Sequence, residues 1–168
     1  LRVKTQQGIR TAIHPMTKRY RVDRLHLNRK RLPGQWYTDH LFAKVKSLDG
    51  NTCPQVITNG YYTRVTPMAS RKDAHVSLQE MERDLGIPEQ LRADLAPELS
   101  GKHTEWIKTI NRLGIKLSWS EKGRKNQNHR AEGEINQLKA RWKRRMTEKS
   151  VPPRLWDRGL VHEAEIMS

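Results

Sequence analysis

The sequence predicts a mixed α/β domain whose sheet opens as an antiparallel meander and is completed by strands alternating with helices. Three strand-like runs follow one another between residues 35 and 68, separated only by turn signals. From residue 70 onward the apolar period lengthens, and helical segments alternate with two further short strands. A meander followed by such alternation implies a five-stranded mixed sheet with helices on both faces.

Each element has its own signature. Residues 1–34 are polar and basic without a sustained period, and they close on Pro33-Gly34, a turn signal that predicts a boundary between a basic arm and a domain over 35–168. "QWYTDHLFAKVKS" (35–47) is rich in aromatic and branched residues and reads as the first strand. Asp49-Gly50-Asn51 is a turn, "TCPQVITN" (52–59) the second strand, and Asn59-Gly60 a strong hairpin signal leading into "YYTRVTPM" (61–68). A helix is expected over 70–85, with Val76, Met81 and Leu85 facing the core and Gly86 and Pro88 stopping it. "EQLRADLAP" (89–97) reads as a fourth strand, "HTEWIKTINRLG" (103–114) as a helix ended by Gly114, and "IKLSWS" (115–120) as the last strand. A long basic helix follows within 125–146, and a final one after Pro152-Pro153. Trp106, Trp119, Trp142 and Trp156 lie within apolar patterns and are expected in or near the core.

Charge is segregated. The net charge is +15, yet residues 1–34 hold ten Lys/Arg against one acid, 35–121 hold eleven of each, and 122–146 hold nine against two. Basic blocks flanking a neutral domain fit polyanion binding, with counterion release favouring nucleic acid. Cys53 is the only cysteine, so neither an internal disulfide nor a Cys-based zinc site is possible within the chain. No apolar run is long enough to span a membrane and no signal-peptide pattern is present, and an intracellular setting is the default expectation. The Leu start suggests a segment of something longer.

The acids inside this basic chain pose the chemical question. Asp39 interrupts an apolar strand, where a carboxylate is costly unless paired or metal-bound. Asp94 ends the fourth strand, and Glu132 opens the long helix. Singly, a strand-end Asp is ordinarily a turn or cap residue and a helix Glu ordinarily faces solvent. Together they suggest a carboxylate cluster holding a hard divalent cation, Mg²⁺ or Mn²⁺, over a phosphodiester. On the helical wheel Ala131, Ile135, Leu138 and Trp142 form an apolar stripe. Glu132 flanks it with Lys139 and Lys143, whereas Glu134 flanks it with Arg141 and Arg145, which are expected to neutralise it. The wheel alone does not choose between the two acids.

The order Asp39, Asp94, Glu132, with 54 and 37 residues between them, resembles the Asp-Asp-Glu triad of retroviral and retrotransposon integrase cores. "GIPEQLRADLAPELSG" is similar to the family's segment around its second Asp, with Glu98 as the downstream acid. "GRKNQNHRAEGE" is similar to its Q-N-G-x-x-E stretch, with Gln127-Asn128 in place, and this singles out Glu132. The resemblance runs from about Gln35 to the end, closest to polyproteins of the copia kind. Leu95 and His129 stand where the family often carries a small residue and a glycine, and His14 and His26 have no cysteine pair for the family's zinc module.

The resemblance implies a ribonuclease H-like fold and a polynucleotidyl transferase that processes DNA 3′ ends and joins them to target DNA. Asp39, Asp94 and Glu132 would be the catalytic metal ligands for Mg²⁺ or Mn²⁺. Lys125, Gln127, Asn128, Arg130, Lys139, Lys143 and Arg144 would contact DNA. Element ends and target DNA would be the partners, in a homo-oligomer acting in the nucleus or another intracellular site. Alternatives are an inactive DNA-binding remnant, a related ribonuclease H-like nuclease, and a basic RNA-binding module in which the acids are incidental.

Overall fold

The computed structural model describes residues 30–94, 104–120 and 129–168, and the chain divides after Lys30, so the domain begins at Arg31. Residues 1–29 of the basic arm, with His14 and His26, therefore lie outside the described residues, as do Leu95, Glu98, Lys125, Gln127 and Asn128 and the side chains of His129 and Arg130.

Five strands form one sheet: β1 (Arg31–His40), β2 (Cys53–Thr58), β3 (Thr63–Met68), β4 (Ile87–Ala93) and β5 (Lys116–Trp119). Their order is β3-β2-β1-β4-β5; β1, β2 and β3 pair antiparallel, and β4 and β5 run parallel to β1. Among the described residues four α-helices accompany the sheet: α1 (Ala74–Asp84), α2 (Glu105–Leu113), α3 (His129–Glu148) and α4 (Trp156–Met167). The expected class and element order hold.

The two faces of the sheet carry separate cores, because strand side chains alternate. Cys53 and Ile57 of β2 join Trp36, Leu78, Met81, Trp106 and Ile110 in the core beneath α1 and α2. Val56, between them, joins Ile135, Leu138, Trp156 and Leu160 beneath α3 and α4. All of β2 is buried, as a central strand with helices on both sides should be. Gln55 survives there because its amide donates to Thr38 Oγ1 at 2.8 Å and accepts from Ser77 Oγ at 2.8 Å. The four expected core tryptophans behave as expected: Trp106 and Trp156 are buried, and Trp119 and Trp142 pack against the cores.

Among the boundaries that differ from expectation, three do so for a clear backbone reason. β1 begins at Arg31, before the Pro33-Gly34 pair that suggested a turn. That pair instead forms a bulge, where three steps along β1 match two along β4 between Leu32↔Pro88 and Gln35↔Gln90. Gly34 takes a φ of +83° there, and Pro88, which has no N–H for the ladder, sits at the irregular point. β4 thus starts at Ile87, two residues early. At its other end β1 stops at His40 rather than running to Ser47. The Leu41 and Ala43 amides still donate to the Pro54 and Thr52 carbonyls at 3.0 and 2.9 Å, but Pro54 has no N–H to return and the Thr52 amide donates to Met68 instead, so the pairing is one-sided and the regular strand ends at His40.

The segment 41–51 is then tied to the start of α4. Trp156 Nε1 donates to the Val45 carbonyl at 2.7 Å, Asn51 Nδ2 to Asp157 Oδ2 at 2.8 Å, and Arg158 forks onto Asp49 at 2.9 and 3.0 Å. α3 and α4 pack closely through Gly159, where an added Cβ would stand 3.2 Å from Met146 Sδ and 3.6 Å from Trp142 Cδ1. Gly159→Ala is therefore expected near neutral, with helix propensity offsetting a small shift of Met146. Gly159→Val should push the helices apart and cost about 2 kcal/mol in urea denaturation; an unchanged midpoint would refute the close approach.

Candidate active site

The sheet order creates a crevice. From β1 the chain proceeds to β2 and β3 on one side, then crosses to β4 and β5 on the other, so the carboxyl ends of the parallel neighbours β1 and β4 lie at a topological switch point. The register ends on Thr38↔Ala93, and the next residue on each strand is an aspartate, Asp39 and Asp94. Asp39 pairs with Val56 of β2 and so faces the side covered by α3 and α4. Glu132 lies in the first turn of α3, where an acid complements the helix dipole.

Asp39 is half-buried, and its Oδ1 accepts from the His40 amide at 2.7 Å. Burial pushes its carboxyl above the ordinary range; the His40 bond opposes that, repulsion from Asp94 and Glu132 adds to it, and Lys139 pulls the other way. Asp94 and Glu132 thus both lie within electrostatic reach of Asp39. Asp94 and Glu132 are exposed. Three carboxylates are a hard-oxygen set suited to Mg²⁺ or Mn²⁺, and the strain of repulsion on Asp39 is what such a cation would relieve. Among the described residues no three His, Cys, Asp or Glu side chains are gathered closely enough to hold a metal ion as they stand.

The bases of α3 split into two faces. Lys139 and Lys143 are exposed and line a groove of about 840 Å³ that opens beside Asp39. Arg144 is exposed and pairs with Glu148 at 3.3 Å. Arg141 and Arg145, expected to neutralise Glu134, instead pair with Glu163 of α4, a carboxylate buried to 1% exposure. The wheel missed this because it holds only the helix's own neighbours, whereas α4 packs against that face. Sequence reasoning also missed Phe42 and Lys44 as groove residues, having placed 41–47 inside a strand, and Trp142, which it placed in or near the core; for the strand end the signal was Pro54, which has no N–H to return to Leu41.

No protein-family model matches the sequence, and no curated protein does. Solved structures do match. A chain of the simian T-cell lymphotropic virus intasome, solved in complex with PP2A regulatory subunit B56 gamma, superposes with a TM-score of 0.65 at 18% identity over 82% of this chain. The catalytic core domain of BIV integrase superposes with a TM-score of 0.59 at 13% identity over 77% of this chain and 80% of its own. The fold is that of a retroviral integrase catalytic core. This integrase-core fold is ribonuclease H-like, as the resemblance implied. The chain spans about half the length (49%) of the matched intasome chain. Among the described residues no helix is long and apolar enough to cross a membrane.

Proposed function

We propose that the domain is an integrase-type polynucleotidyl transferase and endonuclease acting in DNA integration, from a retrotransposon of the copia kind. The observation that supports this most is the placement of Asp39 and Asp94 at the ends of adjacent parallel strands, with Glu132 in the first turn of α3 within electrostatic reach of Asp39. Mg²⁺ or Mn²⁺ held by Asp39, Asp94 and Glu132 would supply Lewis-acid activation of water, and then of a DNA 3′-hydroxyl, for in-line attack at phosphorus. The His40 amide holds Asp39 in orientation, and partial burial keeps bulk water from that carboxylate. Lys139, Lys143 and Arg144 hold phosphates along the exposed side of α3, joined by Lys125, Arg130, Gln127 and Asn128 at its start. Element ends and target DNA are the partners, the assembly is a homo-oligomer, and the site of action is the nucleus or another intracellular site.

A second reading, DNA binding without cleavage, draws on the carboxylates not being gathered into a closed cluster and on Leu95 following Asp94. A strand-transfer assay on a labelled DNA end with Mn²⁺ separates the two. The first reading expects product from the natural sequence, more from Leu95→Gly, and a loss of at least about a thousandfold in Asp39→Asn. Equal DNA binding by all three with no joined product would establish the second.

A further inference from the structure

Asp39 and Glu132 stand on elements joined mainly through a third. α3 packs chiefly on α4, and α4 in turn on β3, two places along the sheet from β1. Trp156 and Asp157, the first two residues of α4, bridge that gap. Trp156 is buried; its carbonyl accepts from Trp142 Nε1 of α3 at 3.2 Å, and its own Nε1 donates to the Val45 carbonyl at 2.7 Å. One residue thus joins the helix that carries Glu132 to the segment that leads away from Asp39. Asp157, 2% exposed, completes the hold by accepting from Ser47 Oγ, from Asn51 Nδ2 at 2.8 Å and from the Arg158 amide at 2.9 Å. Ser47 is equally buried, and its Oγ also accepts from the Asn51 amide at 3.0 Å. The segment needs such an anchor. Past His40 its pairing with β2 is one-sided, because Pro54 has no N–H and the Thr52 amide is turned to Met68. A strand end held on one side frays back toward its last regular residues, here Asp39 and His40. A buried carboxylate is costly to keep, and fixing one arrangement among several is its best-attested use.

We propose that Trp156 and Asp157 are positioning residues for the cation site: together they clamp α3 to the carboxyl end of β1 and so set the spacing between Glu132 and Asp39. Like-charged carboxylates push those two elements apart while no cation lies between them, and the clamp limits that separation. A hard cation that takes oxygens at fixed distances is sensitive to the supports behind its ligands. The proposal rests on the cation part of the function proposed above, and it adds two residues that would not themselves touch the ion.

The test titrates metal-free protein with Mn²⁺ and follows the free ion by electron paramagnetic resonance. Asp157→Asn sets an amide NH₂ against that of Asn51 and should weaken Mn²⁺ binding by about tenfold or more. Trp156→Phe keeps an aromatic ring in the core but has no N–H for the Val45 carbonyl, and it should weaken binding likewise. Exchanging the partners, Asn51→Asp with Asp157→Asn, restores the bond in the reverse direction and should return most of the affinity. Ile110→Val, in the core on the opposite face of the sheet, lowers stability without touching the clamp and should leave Mn²⁺ affinity as it was. An equal weakening by Ile110→Val would mean that any loss of stability has this effect, and would overturn the proposal. Unchanged affinity in Asp157→Asn and Trp156→Phe would also overturn it while leaving the cation reading standing. No binding by the natural protein overturns the cation reading and the clamp with it.

Discussion

Replacing both Arg141 and Arg145 by Met should destabilise the protein by about 3–5 kcal/mol, more than Glu163→Gln, which should cost roughly 1–3 kcal/mol. The asymmetry follows from burial. Glu163 is 1% exposed, while the arginines are 39% and 40% exposed. Without its partners Glu163 keeps a charge that water cannot reach; without Glu163 the guanidiniums turn to solvent. Urea denaturation of the three proteins measures this, and equal losses would show that the pairing is merely a surface contact. The pH dependence has a definite sign. Hydrogen bonding from Arg145, opposed by burial and joined by Arg141, holds the Glu163 carboxyl below its ordinary value. A depressed folded value means stability that is fully present above the unfolded glutamate value and lost as pH falls through the folded one. Asp157 works in the same direction: burial pushes it up, but hydrogen bonds from Ser47, Asn51 and the Arg158 amide outweigh that and lower it. Acid should therefore loosen α4 from two sides, and Glu163→Gln should flatten only part of the profile.

Asp39→Asn should do the opposite to stability. It is expected to raise the melting temperature by roughly 4 °C, on the order of 1 kcal/mol, in metal-free buffer. The ionised Asp39 is half-buried and repelled by Asp94 and Glu132, and asparagine removes the charge while its oxygen can still accept from the His40 amide. Mn²⁺ should raise the melting temperature of the natural protein, where it neutralises the cluster, and leave Asp39→Asn nearly unmoved. A fall in melting temperature for the variant, with the Mn²⁺ response retained, would mean that Asp39 is a structural strand-end residue and that any cation binds elsewhere. This pair of measurements reads the site through folding, so it holds whether or not the protein joins DNA.

Much of the fold could be read from local pattern, because the signals are short-range. Asn59 accepts from the Tyr61 and Tyr62 amides at 2.9 and 2.8 Å and closes the β2–β3 turn, as Asn-Gly suggests. Thr104 caps α2 through the Ile107 amide and Gly114 ends it, as their residue types imply. Boundaries failed where a neighbouring strand decides. Pro33-Gly34 is a turn signal in isolation and a bulge once β4 lies alongside, and the end of β1 depends on what Pro54, fourteen residues beyond His40, is unable to donate.

The candidate site divides in the same way. Asp39, Asp94 and Glu132 stand out in the sequence because each is an acid at an awkward place in a basic chain, and their order resembled a known triad. That they act on one another follows from a parallel register ending on Thr38 and Ala93 and from α3 lying over that edge, neither of which is a local property. The same holds for α3's arginines and for the groove. Residue type alone determined the basic faces, the misplaced acids and the alternation of strand and helix. Only tertiary packing decided which acids come within electrostatic reach of Asp39, which arginines are occupied by Glu163, and that Phe42 stands exposed in the groove beside Asp39, because each of these depends on chain segments brought together from far apart.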